Sequence, residues 1–260
     1  MSKLLPKYLL IASFLVFIQN AFPVAPAVAS EAGCAVLLHG LGRTAGSMEK
    51  MAEALNDAGY RTVNRGYPSS ALPIAELVAG PVHDAVQMCR DGERPVHFVT
   101  HSLGGILVRA YLQEHSVPPG SRAVMLAPPN RGSEVPDKLG DFPPFEWVTG
   151  PAGQQLGADP DSLPNRLGPV ALQVGVIAGN RSYDPWFSWM LPGEDDGKVA
   201  VAKTRLARMQ DFLVVPAGHT FIMRSDEVIR QTLYFLHAGR FDHAPGEAWV
   251  PHGETAPGDS

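Results

Sequence analysis

The chain has 260 residues, of which 45% are hydrophobic and 18% charged, and its formal net charge is −5 at pH 7. Such a chain is long enough for one sizeable globular domain with a well-filled core and is short for two. The acidic balance excludes the basic surface that nucleic-acid binding requires, so no nucleic-acid partner is expected. His, Cys, Asp and Glu do not cluster at metal-ligand spacing, and the sequence predicts neither a metal ion nor a cofactor.

The N-terminus has the order of regions found in a secretory signal peptide. Lys3 and Lys7 precede ten mostly apolar residues (9–18), and a proline-interrupted segment then ends in the small-residue pattern Ala-Val-Ala. The apolar run is half as long as the roughly 20 residues that cross a bilayer, which favours cleavage after Ala29 over an uncleaved anchor. The sequence thus predicts a signal peptide over residues 1–29 and an exported protein, periplasmic or secreted.

Two cysteines, Cys34 and Cys89, remain after such a cleavage. Cys34 leads into the first predicted strand, and Cys89 ends the helix before a later core strand, so both are expected at one end of the sheet. In an oxidising compartment the two thiols could pair and close a loop of about 55 residues. We predict a disulfide here, with two free thiols as the alternative.

Beyond the signal peptide, short apolar runs alternate with helical patterns. Strands are predicted over 35–39, 60–64, 95–100, 123–127, 172–179 and 212–217. Helices are predicted with the apolar face Met48, Met51, Ala52 and Leu55, over 73–88 with a kink at Gly80-Pro81, and over 105–114 and 228–237. Near-continuous apolar strands separated by helices indicate an α/β fold, with a mostly parallel central sheet that helices cover on both faces.

Two segments depart from this alternation. Residues 128–169 contain nine prolines and six glycines and have little periodicity. An excursion of this length inside a compact domain predicts a short cap segment over a site. Residues 241–260 are polar and contain Pro, Gly and His, which predicts a flexible C-terminal tail. The rest of the mature chain, within 30–240, is predicted to form a single domain.

The stretch VTHSLGG (99–105) places Ser102 between a strand and a helix. Strand 95–100 runs directly into the serine, and the helix begins at the glycines that follow it. A hydroxyl at such a junction stands above the carboxyl end of the strand and at the N-terminus of a helix, whose dipole favours developing negative charge. We predict Ser102 as a nucleophile, although the usual G-x-S-x-G elbow has glycine where this chain has Thr100.

A site for an oxyanion is predicted beside this serine. The first strand ends in His39-Gly40, the position at which sheets of this kind place a backbone donor. A tetrahedral intermediate needs two preorganised N–H groups, and the residue after the nucleophile supplies one of them. We assign these roles to the backbone N–H groups of Leu41 and Leu103. A tight turn with a structural histidine is the alternative.

A nucleophilic serine also needs a base. Of the nine histidines, His219 follows strand 212–217 through a glycine turn and precedes a helix, which places it at the carboxyl edge of the sheet. We predict His219 as the general base, with a capping role as the alternative. His101 adjoins Ser102, but the side chains of neighbouring residues diverge, so we interpret it as a packing or supporting residue.

The acid that orients this base is expected between the serine and the histidine in chain order, on a loop after a strand. The turn Gly193–Val199 fits this requirement, and Asp196, which directly precedes a glycine in it, is the preferred acid. Asp195 is the alternative acid, and Asp184 is a weaker third candidate. A solvated acidic turn without a catalytic role is the competing interpretation.

The stretches HGLGRT, THSLGG, LAPPNRGSE, EDDGKVAV and GHTFIM resemble the α/β-hydrolase superfamily, and specifically its small bacterial lipase- and esterase-like members. The resemblance covers residues 35–241 approximately. Position by position, it implies Ser102 as nucleophile, Asp196 as acid and His219 as base, with Leu41 and Leu103 as oxyanion donors. Thr100 departs from the usual elbow, and this departure is known in part of the superfamily.

Two aromatic clusters are candidates for a substrate pocket. One, Asp141–Trp147, lies in the cap segment, and the other precedes the acidic turn. The members of the second cluster are the pocket candidates Trp186, Phe187, Trp189 and Met190. If these side chains contact the substrate, it carries an apolar acyl chain, which favours small-molecule or lipid esters over peptides. A cover for the edge of the sheet is the alternative role.

The resemblance and the predicted site together imply an exported serine hydrolase that cleaves carboxylic esters through a Ser-Asp-His triad and an acyl-enzyme intermediate. An acyltransferase on the same triad, and a catalytically silent binding protein with a hydrolase-like fold, are the alternatives. Transient contact with a lipid surface is compatible with such a substrate. No motif specifies the natural ester or an oligomeric state.

Overall fold

The computed structural model describes residues 32–139, 143–183 and 185–243. The predicted signal peptide, the candidate acid Asp184 and most of the predicted tail lie outside these described residues. The side chains of the cap cluster Asp141–Trp147 are likewise outside those described. In the described part of the chain, no helix has the length and apolar character needed to cross a bilayer.

Six parallel strands form one sheet in the order β2-β1-β3-β4-β5-β6. They are β1 (Cys34–Leu38), β2 (Arg61–Asn64), β3 (Val96–His101), β4 (Arg122–Leu126), β5 (Gln173–Gly179) and β6 (Asp211–Val215). The ends of each strand fall within two residues of those predicted, because strands buried on both faces appear in sequence as apolar runs. The predicted α/β fold class is confirmed.

Helices connect the strands and cover both faces of the sheet. The α-helices are α1 (Glu49–Asp57), α2 (Ile74–Leu77), α3 (His83–Cys89), α4 (Leu103–Glu114), α5 (Glu134–Leu139), α6 (Pro143–Gln154, two pieces that meet at Gly150), α7 (Leu163–Arg166), α8 (Pro185–Ser188), α9 (Val201–Thr204) and α10 (Asp226–Ala238). Short 3₁₀ turns cover Ala45–Ser47 and Ile222–Arg224. The kink predicted at Gly80-Pro81 takes the form of a π-helical segment, Val78–Val82, between α2 and α3. A wider turn suits this position because proline has no N–H to donate.

Alternate residues of the central strands point to opposite faces of the sheet, and two apolar layers result. On one face, Val36 and Leu38 of β1 belong to the same buried cluster as the apolar side chains of α3 and α4. On the other face, Ala35 and Leu37 belong to a cluster with those of α1 and α10. Every residue of β3 is buried. The residue that follows β3 is therefore held in place by packing from both layers.

Cys34 and Cys89 form a disulfide, with their Cα atoms 5.4 Å apart. The bond joins the first residue of β1 to the last residue of α3, at the amino-terminal edge of the sheet, as predicted. It closes a loop of 55 residues in sequence separation. In a chain-entropy model, a crosslink over a loop of this size stabilises the fold by about 4 kcal/mol.

The segment 128–169, predicted to be a cap, connects β4 to β5. They contain α5, α6 and α7 although their sequence has little helical periodicity. Arg109 of α4 is buried and ties this segment to the body of the domain. Its guanidinium donates to the carbonyl oxygens of Asn130, Pro164 and Leu167 at 2.8, 3.0 and 2.9 Å. Burial lowers the pKa of Arg109 to about 10, so the side chain keeps its charge at neutral pH.

The packed domain continues past the predicted boundary at residue 240. The ring of Phe241 is buried, with its centroid 4.9 Å from that of Phe235. The carboxylate of Asp211 accepts a hydrogen bond from the Phe241 N–H at 2.7 Å and lies 2.9 Å from Nε2 of His243. Residues 241–243, which the sequence assigned to the tail, thus pack with the domain, and the rest of the predicted tail lies outside the described residues. The polar composition of this stretch concealed the packed ring of Phe241.

Candidate active site

Ser102 directly follows β3 and directly precedes α4, in the order that a nucleophile elbow requires. Its backbone has φ 52° and ψ −119°, a positive-φ conformation that costs a non-glycine residue roughly 1–3 kcal/mol. The Ser102 N–H donates to the carbonyl oxygen of Leu126 in β4 at 2.9 Å. This bond and the packing of β3 hold the strained serine at the carboxyl edge of the sheet, at the start of α4.

Gly104 and Gly40 leave the space that the elbow around Ser102 requires. A β-carbon at Gly104 would lie 2.5 Å from the carbonyl oxygen of Leu38, because α4 passes directly over the end of β1. A β-carbon at Gly40 would lie 2.7 Å from Nδ1 of His101 and 3.2 Å from Cβ of Ser102. Both distances are shorter than van der Waals contact. The elbow and the turn after β1 can therefore approach each other only through glycine.

Thr100 stands where the usual elbow has its first glycine. Its side chain is completely buried, and a β-carbon at Gly105 would lie 3.4 Å from its Oγ1. In the usual motif, a glycine on the strand leaves space between strand and helix. Here Gly105, on the helix, leaves that space opposite Thr100. Oγ1 of Thr100 has no hydrogen-bond partner among the described residues. The Thr100 side chain therefore fills space beneath the elbow.

Asp196 and His219 form a closely bonded pair beside the serine. His219 Nδ1 lies 2.7 Å from Oδ2 of Asp196, whose side chain is fully buried. The other carboxylate oxygen, Oδ1, accepts hydrogen bonds from the backbone N–H groups of Lys198 and Val199 at 3.0 and 2.8 Å. The His219 N–H also donates to the carbonyl oxygen of Asp196 at 2.9 Å. Both oxygens of the carboxylate are thus fixed, one by the turn and one by the histidine.

Asp195, the alternative acid, has a different set of partners. Its Oδ1 accepts hydrogen bonds from Ser188 Oγ and from the Gly197 N–H, each at 2.7 Å. These bonds close the acidic turn and tie it to the end of α8. The geometry therefore brings Asp196 rather than Asp195 to His219.

His101 separates the elbow from the loop that carries His219. Its Nε2 donates to the carbonyl oxygen of His219 at 3.0 Å, and the two imidazole centroids are 4.8 Å apart. Complete burial, reinforced by the neighbouring His219, lowers the pKa of His101 well below its usual value. A neutral imidazole that donates through Nε2 leaves Nδ1 unprotonated, and this atom faces Gly40. His101 is a supporting residue in this geometry, as its position beside the serine indicated.

The turn after β1 is held in one conformation by its own backbone and by Ser69. Arg43 N–H donates to the carbonyl oxygen of Gly40 at 3.2 Å, and Gly42 N–H donates to Oγ of Ser69 at 3.0 Å. These two bonds engage the N–H groups that follow Leu41. Leu41 itself lines the same cavity as Ser102. Leu103 directly follows Ser102 and is the first residue of α4, where a helix leaves its N–H without an intrahelical partner.

His39 and Tyr67 support this turn from below. Their rings stack with centroids 3.9 Å apart, and the Tyr67 hydroxyl donates to the carbonyl oxygen of His39. Nδ1 of His39 donates to the carbonyl oxygen of Gly40 at 2.9 Å, and Nε2 accepts the Tyr67 N–H at 3.3 Å. Burial lowers the pKa of His39, which keeps the ring in this neutral form. Tyr67 and Ser69 were missed by sequence reasoning because they reach the turn from the loop after β2, and only the pairing of β1 with β2 indicates that neighbourhood.

Ser102 and His219 line one cavity of about 310 Å³. Its walls are mostly apolar and come from the turn after β1, the cap segment and the acidic turn. The apolar lining consists of Leu41, Pro129, Val135, Pro136, Leu156, Phe187 and Val199. Two cations, Arg43 and Lys198, also line it, and no Asp or Glu does so among the described residues. The cavity suits an apolar group held next to the serine hydroxyl.

The four aromatic and apolar pocket candidates do not act together. Phe187 lines the cavity, and Nζ of Lys198 lies 3.0 Å from the centroid of its ring. Trp186 and Trp189 are 78% and 84% exposed, and neither they nor Met190 line the cavity within the described residues. Successive residues of a helical turn point about 100° apart, so a turn that directs position 187 inwards directs 186 and 189 outwards. Of the four pocket candidates, Phe187 alone lines this cavity among the described residues.

A six-stranded parallel sheet that carries a strained serine at a strand–helix junction, next to a histidine–aspartate pair, defines an α/β protein of the hydrolase type. The chain belongs to the alpha/beta hydrolase family, whose model matches residues 35–252. Within the described residues, no group of three or more His, Cys, Asp and Glu side chains is arranged to hold a metal ion.

Solved structures of hydrolases share this fold. The similarity to the mature form of the Bacillus licheniformis lipase BlEst2 covers 80% of this chain and 93% of the lipase chain, with a TM-score of 0.62 and 19% sequence identity. The metagenomic carboxyl esterase MGS0156 is similar over 85% and 78%, with a TM-score of 0.59 and 18% identity. The type II thioesterase YbtT of the yersiniabactin pathway is similar over 82% and 96%, with a TM-score of 0.54 and 13% identity. No curated protein sequence matches the chain.

Proposed function

We propose that this protein is an exported serine hydrolase of carboxylic esters. Ser102 is the nucleophile, His219 the general base and Asp196 the acid that orients it. The observation that carries the proposal is the 2.7 Å bond between His219 Nδ1 and the buried Asp196 carboxylate, in the cavity that Ser102 lines from its strained elbow. The lipase, esterase and thioesterase with similar folds support a substrate with an acyl group.

The chemistry follows from these positions. Nε2 of His219 accepts the hydroxyl proton as Oγ of Ser102 attacks the ester carbonyl carbon, and Asp196 stabilises the imidazolium that forms. The N–H groups of Leu41 and Leu103 donate to the oxyanion of the tetrahedral intermediate. The intermediate then collapses, and His219 returns the proton to the leaving alcohol. A water molecule, deprotonated by His219, attacks the acyl-enzyme and releases the acid.

The acyl group is proposed to occupy the 310 Å³ cavity. Its apolar walls, to which Leu156 and Val135 of the cap segment contribute, favour a hydrocarbon chain. Phe187 contributes a benzene ring to this lining. Within the proposed class, the substrate is therefore a small-molecule or lipid ester with an apolar acyl chain.

Export is proposed from two observations. The basic, apolar and small-residue regions of the N-terminus follow the order of a signal peptide, and the Cys34–Cys89 disulfide suits an oxidising compartment. We propose cleavage after Ala29, which leaves the hydrolase domain with the cap segment at 128–169. Mass analysis of the protein recovered from periplasm or medium is expected to give Ser30 as its first residue. A mass that includes residues 1–29 would contradict this proposal.

An organophosphonate probe and a panel of p-nitrophenyl esters test the catalytic assignment. Wild-type protein is expected to form one covalent adduct at Ser102 and to hydrolyse the esters, and Ser102→Ala is expected to lose both. Ser133→Ala is the matched control, since Ser133 lines the same cavity, and it is expected to retain both activities. Turnover retained by Ser102→Ala would overturn the proposal. A new ester formed with added alcohol, in place of the free acid, would reassign the same residues to acyl transfer.

A further inference from the structure

Aromatic side chains are exposed at the edge of the sheet that carries the candidate active site. Among the described residues, six large hydrophobic side chains are exposed, and four of these are aromatic. Tyr183, Trp186, Trp189 and Phe221 are 81%, 78%, 84% and 62% exposed. We call these four residues the aromatic rim.

The aromatic rim borders the openings to the proposed site. Tyr183 and Phe221 line a second cavity, of about 650 Å³, that shares Lys198, His219 and Thr220 with the first cavity. Trp186 and Trp189 stand on either side of Phe187, whose own ring lines the first cavity. Two of the exposed rings therefore line a cavity that adjoins the proposed site, and the two tryptophans flank, in sequence, the residue whose ring lines the first cavity.

Groups of exposed aromatic rings mark sites that interact with proteins, membranes or ligands. The rim contains tryptophan and tyrosine, whose rings combine an apolar body with one polar group and concentrate at lipid–water interfaces. A protein-binding surface of this kind usually has a well-packed apolar centre. Here two of the rings, Tyr183 and Phe221, line a cavity instead, an arrangement that suits the entry of a lipid molecule.

Cations accompany the rim. Nζ of Lys198 lies over the Phe187 ring, and Nζ of Lys138 donates to the carbonyl oxygen of Met190 at 2.7 Å. The guanidinium of Arg224 lies 5.8 Å from the centroid of the Phe221 ring. In the acidic turn, the carboxylates of Asp195 and Asp196 are buried and bonded internally, and Glu194 is exposed. Three cations thus stand against one exposed carboxylate of this turn, a balance that favours an anionic surface.

We propose that the aromatic rim docks the protein on a lipid surface with anionic headgroups and so presents lipid esters to the cavity. Docking itself requires the rings and the cations but not the serine. The supply of substrate from that surface rests on the proposed function, whereas attachment to the surface does not.

Vesicle binding by the mature chain tests the docking surface. We would measure co-sedimentation and the blue shift of tryptophan fluorescence with vesicles of phosphatidylcholine alone, and of phosphatidylcholine and phosphatidylglycerol in equal parts. Wild-type protein is expected to bind the anionic vesicles more tightly. The double variant Trp186→Ala/Trp189→Ala is expected to bind them about tenfold more weakly or worse, because attachment scales with inserted apolar area. Met88→Ala is the matched control, since Met88 is exposed beside Cys89 at the opposite edge of the sheet, and it is expected to bind as wild type does.

Two further measurements separate docking from catalysis. The double variant is expected to hydrolyse a water-soluble acetyl ester at the wild-type rate, and Ser102→Ala is expected to bind anionic vesicles as wild type does. Equal binding of the double variant and wild type, no binding by either, or equal affinity for both kinds of vesicle would overturn the proposal. A dimer in light scattering that the double variant abolishes, without vesicle binding, would assign the rim to self-association and overturn it as well.

Discussion

Asp196→Asn tests how the acidic turn sets the protonation of His219. In the wild type, Oδ1 of Asp196 accepts two backbone N–H groups, so an asparagine must place its amide oxygen there and direct its NH₂ group at His219. Nδ1 of the imidazole then has to accept, and the ring proton moves to Nε2, the atom that must receive the serine proton. The variant therefore loses the carboxylate charge and also acquires an imidazole in the wrong tautomer.

The size of this effect can be worked out from the 2.7 Å pair. Two unit charges about 4 Å apart interact by about 4 kcal/mol at an effective dielectric constant of 20, which is worth about 10³-fold in rate. The change of tautomer lowers the rate further. In serine proteases, loss of the corresponding charge lowers kcat by about 10⁴-fold. We expect kcat to fall by about 10³ to 10⁴ with KM nearly unchanged, measured on a short p-nitrophenyl ester. Asp195→Asn, the adjacent matched control, is expected to keep kcat within about tenfold. An equal loss in both variants, or turnover above a tenth of wild type in Asp196→Asn, would refute the reasoning.

Three further predictions follow from buried residues away from the cavity. Thr100→Gly is expected to keep turnover largely intact, because its buried side chain makes no hydrogen bond among the described residues and does not line the cavity, while urea unfolding is expected to give a stability lower by roughly 1–3 kcal/mol; a collapse of turnover would assign the threonine a catalytic role. Removal of the disulfide by Cys34→Ser/Cys89→Ser is expected to lower Tm by roughly 8–16 °C with turnover at 25 °C retained, and an unchanged Tm would contradict the chain-entropy argument. Burial and Arg122 lower the pKa of His97 to about 4, so the unfolded chain binds the proton first and stability falls as pH decreases from about 6.5 towards 4. His97→Asn, which keeps an acceptor for the Arg122 N–H, is expected to remove about 2 kcal/mol of the stability lost between pH 7 and 5; an unchanged pH dependence would locate the titration elsewhere.

Local sequence predicted the secondary structure well wherever burial on both faces of the sheet determined the residue type. The six strands and the strand–serine–helix junction fall into this class, because a central parallel strand must be apolar throughout and Gly104 must be small to pass Leu38. The Cys34–Cys89 pairing could be anticipated for a similar reason, since chain order alone placed both residues at one edge of the sheet.

Long-range contacts and side-chain directions were beyond such reasoning. Tyr67 and Ser69 reach the turn after β1 from another loop, and no local pattern marks them. Composition suggested that Trp186 and Trp189 line a pocket with Phe187, but one helical turn sends neighbouring side chains in different directions. Phe241 lies in a polar stretch whose average hid a single packed ring.

His101 has a consequence for how the site tolerates change. The same neutral imidazole meets Gly40 with one nitrogen and the backbone of the His219 loop with the other, and it precedes Ser102 in the chain. One side chain therefore separates three loops that come from distant parts of the sequence. A longer or shorter side chain there would change the widths of two gaps at once, and a charged one would have no counterion. The side chain at position 101 thus sets the spacing between the three loops. Variation in any one of these loops must preserve the distance that a histidine ring spans.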